Sequence, residues 1–260
     1  MGDWSLLRAN LATEDDTALA TYAATITASG SANTKGSYTQ LVASLSRSCI
    51  GVILQLRGNS AAYVLFDLAI GAGGSEQVVV PNISGSVSLA SNGMLGLFIP
   101  LSLPAGTRVA ARCQAGSGSQ TILIKAQFIS DHFAGMQTQI TRWVNWGADT
   151  SVSRGTTLTS GNLSDVKGSW VQLSAAADLT TKWILIMVQA IQTVRNHAID
   201  IGIGAAASEQ VVLSNLFFDN SALGMFLLLP FSIPAGQRIA ARNASGTQFS
   251  TVTVMILGGG

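Results

Sequence analysis

The side chains in this chain whose types and spacing could do chemistry are a set of charges that occurs twice. Asp67 and Glu76 in the first half reappear as Asp200 and Glu209 in the second; Lys35, Arg108 and Arg112 reappear as Lys167, Arg238 and Arg242. Two carboxylates facing each other across a cleft can hydrolyse a glycosidic bond. The same set kept twice, in a chain with only 10% charged residues, reads more simply as ion pairs and turn hydrogen bonds. These lie within one domain or across a subunit boundary. No catalytic residue is assigned.

The other chemical candidates also lose to plainer readings. His197 stands three residues before Asp200, and an odd separation on a strand sends the two side chains to opposite faces. Its place in the first half is held by Val64. His132, beside Asp131, reads as a solvated loop residue. Zinc sites gather Cys and His at short spacings, and no such cluster occurs, so no metal is expected. Cys49 and Cys113 have no counterparts in the second half. A bridge is therefore not needed for the fold, and buried free thiols are expected. Gly202 to Ala207 superficially matches a dinucleotide loop, but that loop must open a helix. Here a strand follows at Ser208 to Leu213, and no cofactor is expected. Tyr38 and its counterpart Trp170, with Trp143 and Trp146, could stack on sugar rings; packing is the simpler role. The glycosylation triplets at Asn82, Asn162 and Asn243 are coincidental if no secretory signal precedes them.

Four blocks recur in the same order. Lys35 to Leu41 (KGSYTQL) matches Lys167 to Leu173 (KGSWVQL); Asp67 to Ala72 matches Asp200 to Ala205. Ser75 to Val79 matches Ser208 to Val212, and Pro100 to Arg112 (PLSLPAGTRVAAR) matches Pro230 to Arg242 (PFSIPAGQRIAAR). The spacing stays within 130–133 residues. Such self-similarity is the mark of a tandem repeat.

The elements that must position these residues read as strands. The first copy has eight Val/Ile/Leu-rich runs, near 20–28, 38–45, 49–57, 62–71, 76–83, 94–101, 107–114 and 120–129, separated by Gly, Ser, Asn and Pro. Arg108 and Arg112 fall on one side of a strand. Pro104-Ala105-Gly106 and Pro234-Ala235-Gly236 read as tight turns. The expected fold is all-β: two tandem antiparallel β-sandwich domains of jelly-roll type. An N-terminal arm spans 1–19, repeat 1 spans 20–132, a linker spans 133–149 and repeat 2 spans 150–260.

Composition narrows the function. The formal net charge is +1 and the basic residues are scattered, which argues against nucleic acid or an anionic membrane as partner. The most apolar stretches, 183–191 and 223–231, are shorter than the roughly 20 residues a membrane span needs. The N-terminus, with Asp3 and no apolar core segment, does not read as a signal peptide. A charged fraction of 10%, against about 25% in ordinary domains, suits a surface that meets other protein.

The blocks KGSYTQL, IGIGAAASEQVV and IPAGQRIAAR resemble segments of tailed-bacteriophage and gene-transfer-agent-like virion surface proteins. The likeness covers roughly 30–128 and 160–257. It implies a non-enzymatic virion component, such as a head decoration, a head spike or a tail-fibre module. It further implies a homotrimer bound to the major capsid protein or tail components, with a host surface glycan as an additional partner. The protein would be made in the host cytoplasm and reside in the virion. It assigns no ligand-binding residue. The alternatives are a lectin-like receptor-binding module and a polysaccharide hydrolase.

Overall fold

A computed structural model describes residues 23–58, 63–85, 95–130, 140–190, 196–219 and 225–260. Among them are 18 strands and no helix. The expected arm, His132 and residues 133–139 of the expected linker lie outside the described residues.

The N-terminal sandwich is built from β1 (Ala24–Thr27), β2 (Thr39–Val42), β3 (Cys49–Gly58), β4 (Val64–Ile70), β5 (Gln77–Gly85), β6 (Leu95–Leu103), β7 (Val109–Ala115) and β8 (Thr121–Ser130). Each falls on one of the eight apolar runs. They pair antiparallel in two sheets ordered β1-β8-β3-β6 and β2-β7-β4-β5. This is the jelly-roll order.

The chain continues through β9 (Trp143–Trp146) and β10 (Ala148–Asp149). The C-terminal sandwich follows as β11 (Arg154–Thr159), β12 (Val171–Ser174), β13 (Trp183–Ala190), β14 (Asn196–Ile203), β15 (Gln210–Asp219), β16 (Met225–Leu229), β17 (Ile239–Ser245) and β18 (Thr251–Gly259). Its sheets, β11-β18-β13-β16 and β12-β17-β14-β15, repeat the first order strand for strand. The two Pro-Ala-Gly sites are turns: Gly106 and Gly236 have φ of +81° and +82°, which glycine adopts without strain. Within the expected linker, residues 143–149 pair into the second sandwich's sheet. β9 pairs with β18 over Ile256 to Gly259, beyond the stretch that β11 pairs with.

Side chains of the C-terminal sandwich complete the core of the N-terminal one. Successive side chains of a strand point to opposite faces, and β13 uses both. Ile184, Ile186 and Val188 fill the C-terminal core, while Leu185 and Met187 join the N-terminal core. β18 does the same, with Val252, Val254 and Ile256 on one side and Met255 and Leu257 on the other. Burial on both faces is why 183–188 reads as a continuous apolar run. Burying Leu185, Met187, Met255 and Leu257 contributes on the order of 6–12 kcal/mol, at about 1.5–3 kcal/mol each. Polar bonds fix the register of the contact. Trp143 Nε1 donates to Pro100 O at 2.8 Å, and Ser102 N donates to Ile140 O at 2.7 Å. Gln114 Nε2 donates to Thr150 O at 2.7 Å, and Gln189 Nε2 to Ser84 Oγ.

Candidate functional site

The recurring charges assemble into two clusters per sandwich, on the sheets β2-β7-β4-β5 and β12-β17-β14-β15. The first cluster begins with a fault in a ladder. The pairing of β4 with β5 slips between Phe66 and Leu68, and Asn82 opposite takes a left-handed φ of 51°. Asp67 repairs the fault: its Oδ1 accepts the Asn82 N–H at 2.9 Å. The same oxygen accepts Lys35 Nζ at 2.8 Å, and Oδ2 accepts Arg112 Nε at 3.0 Å. Lys35 Nζ also donates to Leu65 O and Asn82 Oδ1. The Arg112 guanidinium lies 4.6 Å over the Tyr38 ring.

The second copy repeats the bonds to the aspartate, and Lys167 Nζ donates to Ala198 O as Lys35 does to Leu65 O. Asp200 Oδ1 takes the Asn215 N–H and Lys167 Nζ, each at 2.8 Å, and Oδ2 takes Arg242 Nε at 2.9 Å. Arg242 lies 4.5 Å over Trp170. The Lys-Gly pair of the repeated block has a steric reason. A Cβ at Gly36 would sit 2.2 Å from Thr27 O, and one at Gly168 would sit 1.9 Å from Thr159 O. Glycine lets the loop press against the first strand and deliver the lysine inward.

The second cluster ties the β4–β5 turn to β2. Arg108 Nη1 donates to Glu76 Oε1 at 3.0 Å and to Gly71 O at 2.9 Å, while Nε donates to Gln40 Oε1. Arg238 makes the same bonds to Glu209, Gly204 O and Gln172.

The electrostatics match structural staples. Burial pushes the Asp200 carboxyl up, but Lys167, the Asn215 N–H and Arg242 outweigh it and hold it below the usual range. The bond from its own N–H, with Arg108 and the Gly74 N–H, holds Glu76 low. Burial presses the Lys35 ammonium below its ordinary value, against the pull of Asp67. Each aspartate receives three donors on about four lone-pair sites, and its charge is met by two cations. Little capacity remains to move a proton on a substrate. All these pairs form within one sandwich, and Asp67 and Glu76 are bound to different cations.

His197 is buried, 2% exposed, and stacks on Phe218. Its Nδ1 lies 3.1 Å from Asn243 Oδ1. Asn243 Nδ2 donates to Ser250 O, so Oδ1 faces the ring and Nδ1 carries the proton. Burial holds the imidazole below its ordinary pKa. His197 and Asp200 bind different partners. In the first copy the matched places are Val64, Gly85 and Cys113. Cys113 and Cys49 are buried free thiols, and burial lifts the Cys113 thiol to about 11. Gly202 to Ala207 leads from β14 to β15 with no helix, so the dinucleotide reading fails on geometry. Trp143 and Trp146 are 2% exposed and serve packing.

Sequence reasoning singled out Asn82 only as a glycosylation triplet and missed Asn215. Both lie a few residues after the matched SEQVV blocks, 133 residues apart, and that spacing was the available signal. Among the described residues, no three His, Cys, Asp or Glu gather to hold a metal ion, and no helix is long and apolar enough to cross a membrane.

What distinguishes the C-terminal sandwich is apolar exposure. At one end, the β11–β12 loop and the β17–β18 loop are laced together. Asp165 N donates to Ser245 O, and Phe249 N donates to Gly161 O. This tip presents Leu163 at 62%, Val166 at 42% and Phe249 at 60% exposure. Phe249 also holds a left-handed φ of 53°, uncommon for a bulky residue. The N-terminal sandwich has the same loop frame, with Asn33 N bonded to Ala115 O and Ser119 N bonded to Ser29 O. Its matched side chains are Ser31, Thr34 and Ser119.

No family model and no curated protein matches the chain. Among solved structures it is similar to the STIV MCP, a viral capsid protein, at 12% identity, covering 92% of this chain and 95% of that one, with a TM-score of 0.37. It is similar to a CBM22 tandem domain from Paenibacillus barcinonensis Xyn10C at 8% identity, covering 85% and 82%, with a TM-score of 0.29. It is also similar to the VP2 subviral particle of infectious bursal disease virus at 11% identity, covering 84% and 57%, with a TM-score of 0.29. With scores this low, none of these likenesses carries an argument about this chain.

Proposed function

We propose that this chain is a non-enzymatic structural protein of a virion, with repeats at 20–132 and 150–260 joined by 133–149. It works as a homo-oligomer, a trimer, bound to other virion proteins such as the major capsid protein or tail components. The observation that carries the reading is the apolar tip of the C-terminal sandwich. Leu163, Val166 and Phe249 add nothing to the core, and Phe249 is held in a costly backbone conformation. Exposed apolar clusters of this kind suit protein contact. The saturated charge clusters, the scaffold-like shared core and the virion-like blocks support the same reading. Light scattering on the purified chain, with a cryo-EM map of the particle that carries it, tests the proposal. A stable oligomer and density on the particle are expected. A clean monomer at micromolar concentration, or a map without the chain, overturns it. Hits on a glycan array would favour the lectin-like alternative.

A further inference from the structure

The side of the N-terminal sandwich between β5 and β6 is closed. Val79, Val80, Ile83, Leu97, Ile99 and Leu101 there are each 6% exposed or less. The C-terminal sandwich helps to close it, through Leu185, Met187, Met255 and Leu257 together with Ile140 and Trp143, all part of the N-terminal core.

The matched side of the C-terminal sandwich, between β15 and β16, is open. Val212, Leu213, Leu216, Leu227, Leu229 and Phe231 hold the same places, and every one is only half-buried. Phe217 beside them is 63% exposed. Its counterpart Ser84 is fully buried, with its N–H directed at Met187 Sδ at 3.4 Å. The same core positions are thus sealed in one sandwich and, among the described residues, left without a lid in the other.

The lid has a counterpart too. In the covering sheet, Leu185 stands opposite Leu228 and Leu257, and Met187 stands opposite Phe226 and Met255. In the N-terminal sandwich, Ile53 stands opposite Phe98 and Gln127, and Gln55 stands opposite Gly96 and Lys125. This outer face of β3-β8-β6 carries Ile53, Leu123 and Ile129 half-buried and Phe98 at 37% exposure, among polar residues. A mixed apolar and polar face is the ordinary composition of an interface between separately folded chains.

We propose that the outer face of β3-β8-β6 from a second copy of this chain seals the open side between β15 and β16. The contact repeats between chains the one that joins the two sandwiches within a chain. It rests on the homo-oligomer reading above and names the surfaces that reading needs. Each copy offers one lid and one open side, so the contact is head-to-tail, and its rotation decides between a ring and a filament. By this equivalence Phe217 of one copy faces Gln55 of the next, as Ser84 faces Met187.

The test uses the full chain with Gln55→Cys, Phe217→Cys and the double variant, under mild oxidation, read on non-reducing gels and by light scattering. The double variant cross-links into multimers beyond the dimer, and neither single variant does. Phe217→Asp, at an exposed site, keeps the wild-type circular dichroism and weakens assembly about tenfold or more. A wild-type oligomer that neither cross-links in the double variant nor responds to Phe217→Asp overturns the docking surface and leaves the oligomer reading standing. A monomeric wild type removes both. Cross-linking by a single variant overturns the proposal, as does assembly that needs residues 1–22 but withstands Phe217→Asp.

Discussion

The two sandwiches share strand order, register and charge clusters, and differ in how they end. The N-terminal one is closed on its β5–β6 side, has a polar loop tip, and fills one core site with Val64 and Cys113. The C-terminal one is open on its β15–β16 side, has an apolar tip, and fills that site with His197 and Asn243. The divergence therefore falls on three surfaces, the outer β3-β8-β6 face included, and one core pocket, while the ion-pair staples are held constant. The scaffold is what the repeat conserves, and exposed apolar surface is what sets the second copy apart.

The equivalence of the staples can be broken most sharply at the aspartates. Asp67→Ala and Asp200→Ala each leave a partly buried lysine and an arginine without their carboxylate. Each is expected to cost about 3–5 kcal/mol, measured by urea unfolding. A mild loss at one and a severe loss at the other would show that the clusters are not interchangeable. Next come Gly36→Ala and Gly168→Ala, where a methyl meets a backbone oxygen. A loss of about 2–3 kcal/mol each is expected, again seen as a lower unfolding midpoint.

The core pocket gives a smaller effect with a pH signature. His197→Val leaves Asn243 Oδ1 buried without its donor, at about 1–3 kcal/mol. His197→Val with Asn243→Cys installs two of the first copy's three pocket residues, Phe218 remaining where that copy has Gly85, and recovers part of that loss. The folded pKa of His197 is lowered by burial, so the unfolded chain takes up its proton first. Stability should therefore fall as the pH drops below the unfolded value, about 6.5, towards the lower folded value. Thermal melts across that window should show the slope in the wild type and lose the His197 contribution in the double variant. The smallest effect is Trp170→Tyr, which gives the second cluster the first one's ring and should change stability by less than about 1 kcal/mol.

Much of this was legible in the sequence because it depends on local pattern. The eight apolar runs located the eight strands, and the repeated Pro-Ala-Gly located the turns. Lys-Gly and the paired aspartates announced the staples. What was not legible needed distant partners. Lys35 meets Asp67 across 32 residues, and Arg112 meets it across 45. His197 finds Asn243 on another strand. Trp143 to Trp146 is too short to read as a strand, and its place is set by β18. The apolar run Trp183 to Val188 in β13 was a local hint of a sheet buried on both faces, and periodicity alone does not say what covers the second face.

That doubly buried sheet has a consequence for synthesis. Met255 and Leu257 belong to the last strand of the C-terminal sandwich, yet they complete the interior of the N-terminal one. Domains usually fold in order as they leave the ribosome. Here the β5–β6 side of the first-made sandwich stays uncovered until β18 has emerged, so the two halves complete their folding together.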